Sequence, residues 1–190
     1  ISYRMMNMEM SGNIQGTSSI SNEAIATTVS NPYANPPMSP PTVRVVPQDM
    51  TTQMHMFGFM YAPSDDITLM AMLNYLDKDM SLTTYQGGMG TTQLGTFTTN
   101  PKGFGDTKVA ALFPLLGHPD AKDDTRDELT LKAGVSLPTG STEETAQILT
   151  PMGATPTVRV PYMMQLGTGT WDVEPALTYK GRRGKMGFGV

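Results

Sequence analysis

The sequence predicts an all-β fold, an antiparallel up-and-down meander of a transmembrane β-barrel. About seven strands are visible, and the circuit is incomplete. Three observations predict it. Stretches of about ten residues alternate apolar and polar side chains, the period and length of a tilted barrel strand. Their connections alternate between long and short. Aromatic residues sit toward the ends of these stretches, where a barrel carries its interfacial girdles.

The strands are taken in order. Ser2–Met10 is a partial strand in which Met6, Met8 and Met10 share a face. Thr51–Tyr61 sets His55, Phe57, Phe59 and Tyr61 against Met54, Met56, Gly58 and Met60. Ile67–Leu76 sets Leu69, Ala71, Leu73 and Tyr75 against Met70, Met72 and Asn74. Asp106–Leu115 and Glu128–Leu137 place Lys108 and Lys132 opposite aliphatic rows. Thr170–Lys180 does the same with Asp172 and Glu174. Lys185–Val190 is a second partial strand. Pro114 and Pro175 fall inside these runs and imply bulges or strand ends, because proline cannot donate to a ladder.

The long connections run about Ser11–Asp49, Ser81–Lys102 and Thr142–Leu166, and the shorter ones Pro63–Asp66, Gly117–Asp127 and Gly181–Gly184. Consecutive antiparallel strands send all long connections to one end, as in a barrel with long extracellular loops and short periplasmic turns. The Pro-rich part of the first loop should be extended and irregular. The whole of 1–190 reads as one partial barrel domain, a fragment of something longer, placed in the bacterial outer membrane with lipid as its partner.

Composition agrees. The chain is 38% hydrophobic and only 16% charged, with mean hydropathy −0.24. No run approaches the roughly 18–20 apolar residues of a membrane helix. Gly (19) and Pro (15) interrupt any ordinary helix. The net charge of −4 and the absence of a dense basic patch argue against nucleic acid. With no cysteine there is no disulfide scaffold and no thiol nucleophile.

Three segments carry a resemblance: Gly103-Phe-Gly-Asp-Thr-Lys-Val109, Val135-Ser-Leu-Pro-Thr-Gly-Ser141 and Leu166-Gly-Thr-Gly-Thr-Trp-Asp172. In this order and spacing they resemble the outer-membrane transporter family linked to the MetA pathway of phenol degradation. Tyr3–Gly12 and Met54–Pro63 look like a Met-rich branch of it. The resemblance implies a barrel that moves small hydrophobic or aromatic compounds. It implies no catalytic residues and no cofactor, so the chain is not expected to be an enzyme. Family members carry more strands than are visible here.

The candidate lumen residues are Met54, Met56, Met70, Met72, Lys108, Lys132, Asp172 and Glu174. The charged four either set the selectivity of a channel or brace the interior by cross-strand pairing, the more general role. Tyr61, Tyr75, Trp171 and Tyr179 are the girdle candidates. Trp171 and Tyr179 would lie about 20 Å apart along the membrane normal. Methionine is 17 of 190 residues. Thioethers select Cu(I), so Met6, Met8, Met10, Met54 and Met56 are candidates for soft-metal binding or passage. The commoner role of Met is to fill irregular space, and His55 alternates onto the face opposite Met54 and Met56. A non-transporting structural or surface-interaction barrel is an alternative, and a soluble β-sandwich with one buried face is a third class. The acidic turn Asp123, Asp124, Asp127 and Glu128 lacks the spacing of a calcium loop.

Overall fold

The alternating segments form strands, and their hydrogen bonding builds one antiparallel sheet curled into a half-barrel. The computed structural model describes residues 1–35, 39–117 and 125–190. In chain order its strands are β1 (Ser2–Ser11), β2 (Asn13–Gln15), β3 (Ser18–Ile20), β4 (Val45–Ser64), β5 (Ile67–Tyr85), β6 (Gln93–Thr99), β7 (Lys102–Phe104), β8 (Thr107–Leu116), β9 (Thr125–Leu137), β10 (Thr145–Gln147), β11 (Thr157–Arg159), β12 (Asp172–Arg183) and β13 (Met186–Gly189). One helix, α1 (Asn22–Thr28), and one 3-10 turn, Tyr162–Met164, complete the described elements.

The main sheet runs β1-β4-β5-β8-β9-β12-β13, an up-and-down order, with β6 and β7 beside the distal half of β5. Among the described residues, the outer edges of β1 and β13 have no partner strand. The central hairpin β4–β5 turns at Asp65–Asp66, and its ladder extends from Ser64↔Ile67 to Val45↔Thr84. Its strands, 20 and 19 residues long, are more than three times the typical length of about 5–6 residues.

Register separates two faces. Opposed residues share a face, so the row Met60–Met70–Ala110–Gly134–Glu174 lies on one side, and Tyr61–Leu69–Ala111–Ala133–Pro175 on the other. The first face is concave. Lys108 reaches across Gly134 to Glu174, two strands away, and the 144–166 segment spans it like a chord. The second face is convex, and its large apolar side chains stay exposed, including Phe59, Tyr61, Leu69, Leu131, Val173 and Leu177.

Several expectations change here. The first long loop ends at Val45, not Asp49, and holds the β2–β3 hairpin and α1. Ser21 starts that helix by accepting from the Ala24 amide, a local cap that hydrophobic periodicity does not register. The second loop shrinks because β5 continues to Tyr85 and pairs with β6. Tyr75 therefore lies in mid-strand rather than at an end. The third loop is not plain coil, since β10 pairs β11 within it. Pro114 does sit beside a register shift, whereas Pro175 stays in register with Ala133. At Pro175, β12 has a neighbour on one side only, the edge setting that proline tolerates. The turn at Gly181–Gly184 tightens to Gly184–Lys185. Most of the connection at Gly117–Asp127, with Asp123 and Asp124, lies outside the described residues.

At the end bearing the long connections, both faces of the β4–β5 extension are covered. Ile25 and Ala26 of α1 pack on Val46 and Tyr85 of the convex face. Val160 and Met164 pack on Met50, Met80 and Leu82 of the concave face. Arg44, 2% exposed, ties α1 to the segment 86–90. Its guanidinium donates to the carbonyls of Ala26, Gln86, Gly87, Met89 and Gly90 at 2.8–3.3 Å and lies 5.6 Å from the centre of the Tyr85 ring. All five donors of the fork are used. Replacing it strands those acceptors, and each buried polar group left unpaired costs about 1–3 kcal/mol. Arg44→Met should lower stability by at least about 2 kcal/mol. Limited proteolysis should then cut first within residues 86–92, and unchanged protection there would refute this role.

Candidate functional site

The concave face is divided into two chemical halves. On β1, β4 and β5 it is built of thioethers. Met6, Met8 and Met10 of β1 oppose Met54, Thr52 and Met50 of β4, which in turn oppose Leu76, Lys78 and Met80 of β5. Nearer the turns, Met56 opposes Asn74, Met72 opposes Gly58, and Met60 opposes Met70. Ten of the 17 methionines thus occupy the concave side of three adjacent strands, where Leu76 is the one aliphatic residue between Met70 and Met80 of β5. On the convex side of the same strands stand Tyr, Phe, Leu and Ala nearer the turn, a single Met, Met5, with His55, and polar residues such as Gln53, Asp77 and Asp79 beyond them.

On β8, β9 and β12 the concave face is ionic. Lys108 Nζ pairs with Glu174 Oε1, and Lys132 Nζ lies 3.3 Å from Glu174 Oε2. Gly134 makes this possible, because a side chain there would meet Lys132 and the Glu174 backbone within 3.2 Å. All three charged groups are partly exposed, so the pairs contribute little to stability, at most about 1 kcal/mol each. Asp172 does not join them; its carboxylate accepts from the Thr170 hydroxyl at 3.1 Å. The cluster therefore presents two ammonium groups to one carboxylate. Cross-strand bracing accounts for three of the four charged candidates.

The third long connection folds inward over the thioether half. Lys78 Nζ donates to the carbonyls of Met163 and Gln165, at 2.9 and 2.5 Å. The buried Gln165 side chain accepts from the Glu144 amide and donates to the carbonyls of Glu144 and Val160. Thr84 Oγ1 donates to Leu149 O at 2.7 Å. The loop is thus held by its backbone, and it narrows the concave face at one end.

Asp106 secures the other side of that loop. Its carboxylate accepts from the Gly140 amide at 2.9 Å and from the Thr168 amide and hydroxyl, both at 2.8 Å. Gly140 and Gly167 approach so closely that a Cβ at either would fall within 2.9 Å of backbone atoms. The amides of Leu166 and Gly167 both donate to Ser141 O. The three motif segments, 103–109, 135–141 and 166–172, therefore converge on one carboxylate. Their glycines and threonines are explained as a clasp. Among the described residues, no group of three His, Cys, Asp or Glu side chains is placed to hold a metal.

The aromatic candidates lie on the convex face at two levels. Trp171 and Tyr75 are toward the long connections, and Tyr61 and Tyr179 toward the turns. Tyr3, His55, Tyr75 and Phe104 form a contiguous ring row with centroids 5.4–6.4 Å apart. Charged rows bound this zone. Asp77 pairs with Lys102 at 2.8 Å just beyond Tyr75, and Asp127 receives Arg183 and the Tyr179 hydroxyl beyond Leu177. The residues missed from sequence are Met50, Met80, Lys78, Met164, Gln165 and Asp106. Continuing the period-two pattern past Thr51 and Leu76 would have found the first three. Apolar residues inside a polar loop were the available signal for Met164.

Comparison with family models, with curated proteins and with solved structures finds no match for this chain.

Burial by itself would raise the Asp106 pKa, but the Thr168 and Gly140 amides and the Thr168 hydroxyl more than offset it and hold the carboxyl below its usual range. A depressed native pKa contributes stability that is fully present above the unfolded value, roughly 4, and is lost as pH falls through the native value. Asp106→Asn should remove that acid-dependent loss and lower stability at pH 7 by about 1–3 kcal/mol. Urea unfolding at pH 7 and pH 3 measures both, and identical pH profiles in the two proteins would refute the assignment.

Proposed function

We propose that the chain is part of an outer-membrane β-barrel that passes, or binds for passage, small hydrophobic or aromatic solutes. The observation that carries this reading is the convex apolar zone, bounded at both ends by aromatic and then charged rows. Water-facing sheets do not expose so large a continuous apolar surface. A barrel wall in hydrocarbon requires one, flanked by amphipathic rings. From Trp171 to Tyr179 the zone spans about 20 Å along the normal at a usual strand tilt. That is close to the apolar band of a transmembrane barrel.

The coverage of β4 and β5 supports the same reading. Their convex face is bare within the apolar zone and covered by α1 beyond it. A strand leaving lipid for water gains by covering its apolar side, because the hydrophobic effect acts only there. The end with α1 and the inward loop would then face outside the cell. The solute would meet thioethers on one wall and a Lys–Glu cluster on the other, below a loop that sets the width. The motif resemblance agrees with transport. The firm anchoring of the loops also fits a non-transporting barrel whose outer platform binds a partner.

Two experiments separate these possibilities. In lipid vesicles, Leu73→Arg on the convex face should cost about 2–4 kcal/mol, whereas Ala176→Arg on the concave face should stay within about 0.5 kcal/mol. Equal small effects would mean that the convex face meets water. In planar bilayers, the protein should give a solute-dependent current that rises when Gln165→Ala and Lys78→Met release the inward loop. A stable, silent barrel would favour the interaction reading.

A further inference from the structure

The cross-strand row Met10–Met50–Met80 continues to Thr99, so three thioethers stand side by side on the concave face at the mouth. Directly opposed residues have backbones about 4.5–5.5 Å apart. Flexible Met side chains can therefore converge on one atom. A cavity of about 190 Å³ lies against this row, lined also by Met163 of the inward loop and by Asp49. Met50 and Met80 form its closed floor, at 7% and 1% exposure, and Met10 keeps one side open at 40%. Lys78 fixes the fourth sulfur-bearing residue in place by donating to the Met163 carbonyl.

We propose that Met10, Met50, Met80 and Met163 form a binding site for a soft monovalent metal ion of the Cu(I) and Ag(I) class. Three features distinguish it from packing. First, filler methionines would mix with leucine, since the two exchange at little cost in cores. Here ten methionines line the concave side of β1, β4 and β5, with Leu76 and Leu82 as the leucines among them. Second, Thr99 Oγ1 in the same row, beside an adjoining cavity that shares Met80 and Met163, and Thr52 Oγ1 in the next row are buried and have no hydrogen-bond partner among the described residues. Valine would fill the same space without an orphaned oxygen, so the hydroxyls suit a polar or charged occupant. Third, thioethers select Cu(I) over harder ions.

The local electrostatics also favour a single positive charge. The Lys78 ammonium is nearby, but two carbonyls accept its hydrogens, and Asp49 lines the cavity. A divalent ion would meet twice the repulsion that a monovalent one does. Below the site, Met6 with Met54, then Met56, Met72 and Met60 with Met70 continue on the same face. An ion that leaves the mouth keeps a soft ligand within reach along the wall.

The test uses the whole protein in detergent micelles, with Ag(I) as a redox-inert probe followed by calorimetry. The expected result is one tight site per chain that Zn(II) does not displace. The volume-conserving double variant Met50→Leu/Met80→Leu should lose at least tenfold in affinity with an unchanged far-UV dichroism spectrum. Met89→Leu/Met152→Leu, at exposed loop positions, should bind as the parent does. The proposal is overturned if the parent binds no Ag(I), if Zn(II) competes, or if the two double variants bind alike. Solute conductance of the parent is read separately, so failure of metal binding leaves the transport reading to its own experiment.

Discussion

The structure depends on one constraint, the strict alternation of an unbroken backbone ladder. Along β4 and β5 the pairs run without slip from Asp49↔Ser81 to Tyr61↔Leu69. Because successive side chains point to opposite faces, a shift of one residue would send every concave methionine outward and every convex aromatic inward. The two-residue turn at Asp65–Asp66 and the register shifts near Pro47 and Tyr61 pin that register at both ends. The division into an apolar surface, a thioether wall and an ionic wall all follows from it.

A second theme concerns charge. Arg44 is satisfied by five carbonyls and Asp106 by two amides and a hydroxyl. Both residues have uncharged groups as hydrogen-bond partners. Both sit where the chain leaves the ladder and its backbone groups lose their strand partners. Those groups must be paired somewhere. A single charged side chain with several hydrogen-bonding sites gathers them from segments far apart in sequence. The two residues thereby convert long polar connections into fixed structure, Arg44 around α1 and residues 86–90, Asp106 around the inward loop.

The inward loop links these themes to the site. It crosses the thioether half and leaves the Lys108–Glu174–Lys132 cluster to the other wall. Its backbone carbonyls at 163 and 165 take the Lys78 ammonium, which would otherwise crowd the methionine rows. The narrowing of the concave face and the arrangement of its chemistry are therefore the same packing event.

Period-two alternation in 54–61, 107–115 and 129–137 was enough to read seven strands, their neighbours and the sharing of faces by Met54, Met56, Lys108 and Glu174. This information is local, because a strand's two faces are set by its own residues. Strand ends were read less well. Val45–Met50 and Asp77–Tyr85 carry Pro47, Asp77, Lys78 and Asp79, which resemble loop residues until a second layer covers them. Helix α1 was missed because seven residues give too little periodicity. What the sequence determined by itself was the meander and the chemistry of each face. Only the tertiary structure decided which loop lies on the concave wall, that three distant motifs meet at Asp106, and that Met10, Met50 and Met80 stand in one row. Those facts depend on cross-strand register and on contacts between segments tens of residues apart, and no local pattern encodes either.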